Sequence, residues 1–140
     1  MRQILLFAAL AASLALLSGC TLSKAKADTS EDMPGKAAYH KLSAEEAYEM
    51  MASQEVVVVD VRTREEYDGG HIENAVLVPN ESIGIEMPEA LPDKEATLLV
   101  YCRSGRRSKE AAQKLLALGY QSVYDFGGVI DWPYELVKEE

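Results

Sequence analysis

Cysteine is scarce in this chain: 140 residues contain two, Cys20 and Cys102. So few leave no room for a disulfide framework, and no Cys-x-x-Cys pair is available for dithiol redox chemistry. Basic residues are also under-represented, 14 Lys and Arg against 23 Asp and Glu, for a formal net charge of −9. That balance makes nucleic acid a poor partner, because phosphate backbones are bound by positive surfaces. Long apolar runs are missing too. The longest, residues 4–17 broken only by Ser13, falls short of the ~20 residues that cross a bilayer comfortably. No internal repeat is visible, and the length suits one domain with a single sizeable core.

The apolar run has the dimensions of a signal-peptide core, follows a positive Arg2, and ends in Leu17-Ser18-Gly19-Cys20. Small residues just before a cysteine resemble the lipobox of bacterial lipoproteins. The resemblance implies a signal peptide over residues 1–19 and acylation of Cys20; an ordinary signal peptide and an uncleaved anchor are the alternatives. All three put the remainder outside the cytoplasm, and a lipid anchor would hold it at a membrane on the periplasmic side. Thr21, where aspartate could stand, resembles lipoproteins sent to an outer membrane in hosts that have one. Residues 20–38 are small, polar and charged, with Pro34-Gly35 near the end. They read as a flexible tether with a reach of roughly 25 Å. With Cys20 acylated, Cys102 is a lone thiol in a compartment that oxidises thiols, and reactivity is the obvious reason to keep it.

Residues 39–140 alternate between strand and helix signals. Residues 39–42 suit a short strand. Ser43 with Glu46 is a capping box opening a helix through about Ser53, with Leu42, Ala47, Tyr48 and Met51 on its apolar side. Four valines at 56–59 suit a parallel strand buried on both faces. Thr63 with Glu66 is a second capping box, for a short helix stopped at Gly69-Gly70. Residues 75–78 form another short strand, 81–96 are irregular, and 97–101 are again strand-like. Ser108 can cap a helix running to about Leu118, with Gly119 at its stop. A last strand over 122–125 precedes Gly127-Gly128 and a final helix containing Trp132 and Leu136. This order predicts an α/β fold with a mostly parallel sheet, whose functional loops lie beyond the carboxyl ends of the strands. Asp60 and Cys102 both fall at such positions.

The chemistry concentrates at one strand–loop–helix junction, Leu98-Leu-Val-Tyr-Cys102-Arg-Ser-Gly-Arg-Arg107-Ser108. From residue 39 onward there are ten Lys and Arg against twenty acids, and four of the ten (Arg103, Arg106, Arg107, Lys109) directly follow Cys102. Backbone N–H groups of such a loop can converge into an anion nest, and the next helix adds its positive dipole end. Gly105 permits a backbone angle that other residues resist. A sulfur at the centre should be held as thiolate.

The loop CRSGRR after an apolar strand resembles the active-site loop of single-domain rhodaneses. VVVVDVR, EEYDGGHIENAVLVP and DFGGVIDW are similar to further stretches of that family, in order, over residues 39–137. Asn74 stands where the family's glycine precedes Ala75. The resemblance implies a five-stranded, mostly parallel sheet flanked by helices, and sulfur transfer without metal or organic cofactor. Cys102 would be the nucleophile that carries a persulfide. Residues 103–107 would supply N–H groups, with Arg103 and Arg106 or Arg107 drawing in a small sulfur-containing anion such as thiosulfate; Ser108 completes the substrate-binding loop. A thiol, or cyanide in assays, would accept the sulfur.

Each residue also has a plainer role. Cys102 could be core, and Arg107 a surface helix residue. Asp60 is read as a framework acceptor for loop N–H groups rather than an acid/base, and Arg62 as the structural partner of an acid such as Glu66. His71 reads as scaffold, Gly127-Gly128 as a site of close backbone packing, and Trp132 as core. A phosphatase needs arginine six positions after its cysteine; here that position is Ser108, and the arginine comes one early at Arg107. Arsenate reduction lacks a second, resolving cysteine. The remaining competitor is a tethered persulfide carrier or binding module with little turnover of its own.

Overall fold

The computed structural model describes residues 37–138. The expected signal peptide, Cys20 and nearly all of the tether lie outside the described residues. Elements follow in the order β1 (Ala38–Lys41), α1 (Ala44–Ser53), β2 (Val57–Asp60), α2 (Arg64–Asp68), β3 (Val76–Leu77), β4 (Thr97–Cys102), α3 (Arg106–Ala117) and β5 (Ser122–Gly128). Short 3-10 turns occupy Asn80–Ser82 and Val129–Asp131. Five parallel strands form one sheet in the order β1-β5-β4-β2-β3, so the α/β architecture expected from the alternation is present.

Both capping boxes form. The Ser43 hydroxyl accepts from Glu46 N while the Glu46 carboxylate accepts from Ser43 N, and Thr63 and Glu66 repeat the exchange. β4 is the centre of the sheet and is buried from Leu98 to Cys102. Side chains alternate across a strand, and the two hydrophobic clusters follow that parity. Leu98, Val100 and Cys102 pack with Ala111, Ala112 and Leu115 of α3. Leu99 and Tyr101 face the other way, onto Ala47 of α1, Tyr67 of α2 and Phe126. The thiol is thereby delivered to the face that α3 covers.

Three expectations require correction. The helix after Cys102 starts at Arg106 with Gly105 as its N-cap, so Ser108 is not the cap but a buried residue of the first turn. No final helix forms around Trp132 and Leu136. Pro133 disfavours helical angles at Trp132, whose ψ is 114°, and the chain runs on extended until Val137 pairs with His71 in an isolated antiparallel bridge. Tyr48 leaves the apolar face of α1: it is 46% exposed and stacks on Tyr134 with ring centroids 3.8 Å apart. Trp132 does pack with the core, its ring centroid 5.6 Å from that of Phe126. Asn74 has φ 62°, a left-handed angle that asparagine tolerates better than most residues other than glycine.

Candidate active site

β4 ends at Cys102, and four residues later α3 begins. Gly105 makes the turn with φ 97°. Its N–H donates to the Cys102 sulfur at 3.0 Å, and the nearby polar groups of Ser108 (backbone N–H and hydroxyl) and the Ser104 N–H also favour its thiolate. Cys102 is 1% exposed. Burial pushes its thiol pKa up, but these donors outweigh burial and hold it below the ordinary thiol value. The first turn of the twelve-residue α3 adds its positive end to the same effect.

The loop keeps its shape through backbone packing. A Cβ on Gly128 would lie 2.3 Å from the Arg103 carbonyl oxygen and 2.5 Å from Ser104 Cα, so no side chain fits there. The expected close approach of Gly127-Gly128 to the loop is therefore real. The Ser108 hydroxyl lies 3.0 Å from the Gly105 carbonyl and 3.2 Å from that of Gly127, tying α3 to β5 across the loop. Its single proton can serve one acceptor at a time, and the sulfur is a third candidate.

The arginines divide. Arg103 and Arg106 are exposed, and Arg106 comes no closer than 3.8 Å to Glu110. Arg107 instead donates both Nη groups to the Glu66 carboxylate, at 2.7 and 2.8 Å. Hydrogen bonding from Arg107 is the chief reason the Glu66 carboxyl drops to about 2. The expected Arg62–Glu66 pair is thus replaced on both sides. Arg62 folds back onto Asp60, with Nη2 2.6 Å from Oδ2, and also donates to the Gly70 carbonyl at 2.8 Å. Two residues of separation suffice for that return, whereas the Glu66 carboxylate reaches the Arg107 guanidinium in the first turn of α3.

Asp60 is a framework acceptor, as its position suggested. It takes the Arg62 N–H at 2.9 Å and the Tyr101 hydroxyl at 2.6 Å, and Tyr101 in turn accepts from Ile72 N. This network lies on the opposite sheet face from the thiol. His71 is also scaffold: it is buried, stacked on Tyr67 at 3.6 Å, with Nδ1 3.0 Å from the Tyr67 carbonyl.

Three contributors escaped the sequence. Glu66 was accounted for by its capping box, and nothing local signals a bond to a residue 41 positions away. Tyr101 read as a core apolar residue. Asp125 marks only a strand end in the sequence, yet it is buried and accepts from Gly127 N at 2.9 Å and Tyr39 Oη at 2.8 Å. Among the described residues no group of three or more His, Cys, Asp or Glu is placed to hold a metal ion.

A parallel α/β domain with a thiol in a backbone nest at the carboxyl edge of its central strand defines a reactive-cysteine class. The particular family follows from comparison with known proteins. The model of the rhodanese-like domain matches residues 43–133. A solved rhodanese with anions from E. coli is 34% identical, with 61% of this chain and all of that one covered, at TM-score 0.55. A rhodanese-like domain protein from Staphylococcus aureus is 30% identical over 72% and 99% of the two chains, at TM-score 0.62. The human single-domain sulfurtransferase is 27% identical over 66% and 93%, at 0.59. A curated relative, the tRNA uridine(34) hydroxylase of Yersinia pestis, is 34% identical over 98 residues, which are 66% of this chain and 28% of that protein. The chain spans under a third of that relative's length. The chain belongs to the rhodanese-like domain family. Family and sulfurtransferase neighbours together support sulfur transfer as its general chemistry.

Proposed function

We propose that this protein is a sulfurtransferase that receives sulfane sulfur on Cys102 from thiosulfate or a persulfide donor. The observation that carries the reading is the sulfur itself, held by the Gly105 N–H at 3.0 Å in surroundings of Ser108 and Ser104 that favour its thiolate. The Cys102 thiolate attacks the outer sulfur of thiosulfate, forming a new S–S bond. The old S–S bond breaks, and sulfite leaves with its electron pair. The terminal sulfur of the resulting persulfide is anionic and suits the same N–H groups. A thiolate or cyanide then attacks that terminal sulfur, and Cys102 departs as thiolate. The tRNA in the name of the curated relatives is not carried over, because a chain of net charge −9 is ill suited to a polyanion.

The test uses the chain with Cys20→Ser, in which Cys102 is the sole thiol. Thiosulfate should add one sulfur to the intact mass, cyanide should remove it as thiocyanate, and Cys102→Ser should do neither. Folded, reduced protein that gains no sulfur from thiosulfate or polysulfide would refute the reading. The near-complete burial of Cys102 supports a second reading, a persulfide carrier that releases sulfur only when a partner opens the loop. A stable persulfide with negligible turnover identifies that case. Export and acylation at Cys20 belong to the same proposal, supported by Leu17-Ser18-Gly19-Cys20 after the apolar run. Intact mass of the mature protein from membranes, with and without Cys20→Ser, checks them.

A further inference from the structure

The basic residues after Cys102 are not equivalent. Arg103 is exposed, and the Arg106 side chain is 81% exposed with Glu110 at 3.8 Å, a separation and solvation at which pairing contributes little. The Arg107 side chain is 16% exposed, and its pKa is raised chiefly by the hydrogen bond to Glu66, with the charge on Cys102 a smaller contributor. Its fork is occupied: one Nη donates to each oxygen of Glu66. Glu66 is itself anchored, because its Oε2 accepts from Thr63 N at 3.1 Å and from Thr63 Oγ1 at 3.2 Å. The carboxylate that neutralises Arg107 is therefore fixed by the N-terminus of α2, and a bidentate pair of this kind is specific in geometry as well as charge.

We propose that Glu66 is a positioning residue that sets donor selectivity: by occupying the Arg107 fork it favours a persulfide donor of low charge over the dianion thiosulfate at Cys102. The kinetic part rests on the sulfur-transfer reading above. A sulfonate needs cationic donors beyond those that hold the attacking sulfur. The loop offers it exposed Arg103 and Arg106, whose charges water screens. A persulfide makes no such demand. The Cys102 thiolate attacks the outer sulfur of R–S–SH, Cys102–S–SH forms, and R–S⁻ leaves.

The experiment compares wild type, Glu66→Gln and the double variant Glu66→Gln/Arg107→Gln, all in the Cys20→Ser chain. Glutamine can still accept the Thr63 N–H but carries no charge. Each protein is assayed with thiosulfate and with cysteine persulfide. Glu66→Gln should raise the ratio of kcat/KM for thiosulfate to that for cysteine persulfide on the order of tenfold, mainly through KM, the scale of one unit charge uncovered beside an anion. The double variant should return to the wild-type ratio. An unchanged ratio in Glu66→Gln overturns the proposal. So does a selective loss of thiosulfate activity in the double variant, which would show that Arg107 already serves the donor. Should Glu66→Gln fail to fold, Arg107→Gln replaces it: the uncovered Glu66 charge should lower the ratio, and an unchanged ratio overturns the proposal. A second arm needs no sulfur transfer: the rate of Cys102 alkylation by iodoacetate divided by that by iodoacetamide should rise in Glu66→Gln and fall back in the double variant. If wild type takes up sulfur from neither donor, the functional reading fails, and this ratio alone decides whether Glu66 gates anions.

Discussion

Replacing Gly128 by alanine tests whether the nest is shaped by backbone packing. The added Cβ would lie 2.3 Å from Arg103 O, 2.5 Å from Ser104 Cα and 2.7 Å from Arg103 C. Carbon contacts are comfortable at about 3.5–4.0 Å, so the loop or β5 must retreat by roughly 1 Å or more. All three clashing atoms are backbone, and no rotamer change can absorb the methyl group. Overpacking of this kind costs about 1–3 kcal/mol, and the absence of a flexible neighbour places this case at the upper end. For a domain of this size, about 3 kcal/mol lowers the melting temperature by roughly 12–24 °C. The chemistry should suffer as well. Displacing Ser104 and Gly105 removes N–H donors from the sulfur, so the Cys102 pKa rises. Gly84→Ala is the control, because nothing lies within 4 Å of a Cβ there. The assay is thermal melting by circular dichroism, together with the pH profile of iodoacetamide alkylation in the Cys20→Ser background. A Gly128→Ala protein that melts within about 2 °C of wild type and alkylates identically would refute the reasoning.

Two further outcomes follow from the same geometry. Ser108→Ala removes a hydroxyl that favours the Cys102 thiolate and that ties the Gly105 and Gly127 carbonyls together; the thiol pKa should rise and move the alkylation profile to higher pH, and the loss of a buried hydrogen bond, about 1 kcal/mol, should lower the melting temperature by several degrees. Asp60→Asn strips the charge partner from Arg62 inside a wholly buried pair; urea denaturation should show a loss of about 3–5 kcal/mol, and an unchanged midpoint would mean that Tyr101 and Gly70 suffice to hold the guanidinium.

What could be read from the sequence was what is local. The valine run, TLLVY and both capping boxes specify their elements within a few neighbouring residues, and each formed where expected. Cys102 at a strand end followed by Gly105 is likewise a short-range pattern. Errors arose where two local signals competed. Ser108 is a good cap by residue type, but Gly105 at φ 97° turns the chain three residues earlier and draws Ser108 inside the helix. Residues 129–136 carry apolar residues at plausible helical spacing, yet Pro133 breaks the pattern and the His71 bridge gives the extended chain a partner. Ion pairing was the least legible. Arg62 and Glu66 are one helical turn apart and invite pairing, but the fold offers each a better partner, Asp60 at 2.6 Å and Arg107 at 2.7 Å. The second of these links residues 41 apart in sequence, a relation set by the tertiary fold, which brings the start of α3 within reach of the Glu66 side chain.

The loop around Cys102 is moulded main chain against main chain: Gly128 admits Arg103 and Ser104, and the Gly105 N–H faces the sulfur. Arg103 and Arg106 point into solvent and hold none of that shape. The socket and its rim are therefore separable. Variants at residues 103 and 106 can carry acidic, aromatic or small side chains around an unaltered nest, which makes those two positions a natural library for re-targeting the thiol to new sulfur donors without refolding the site.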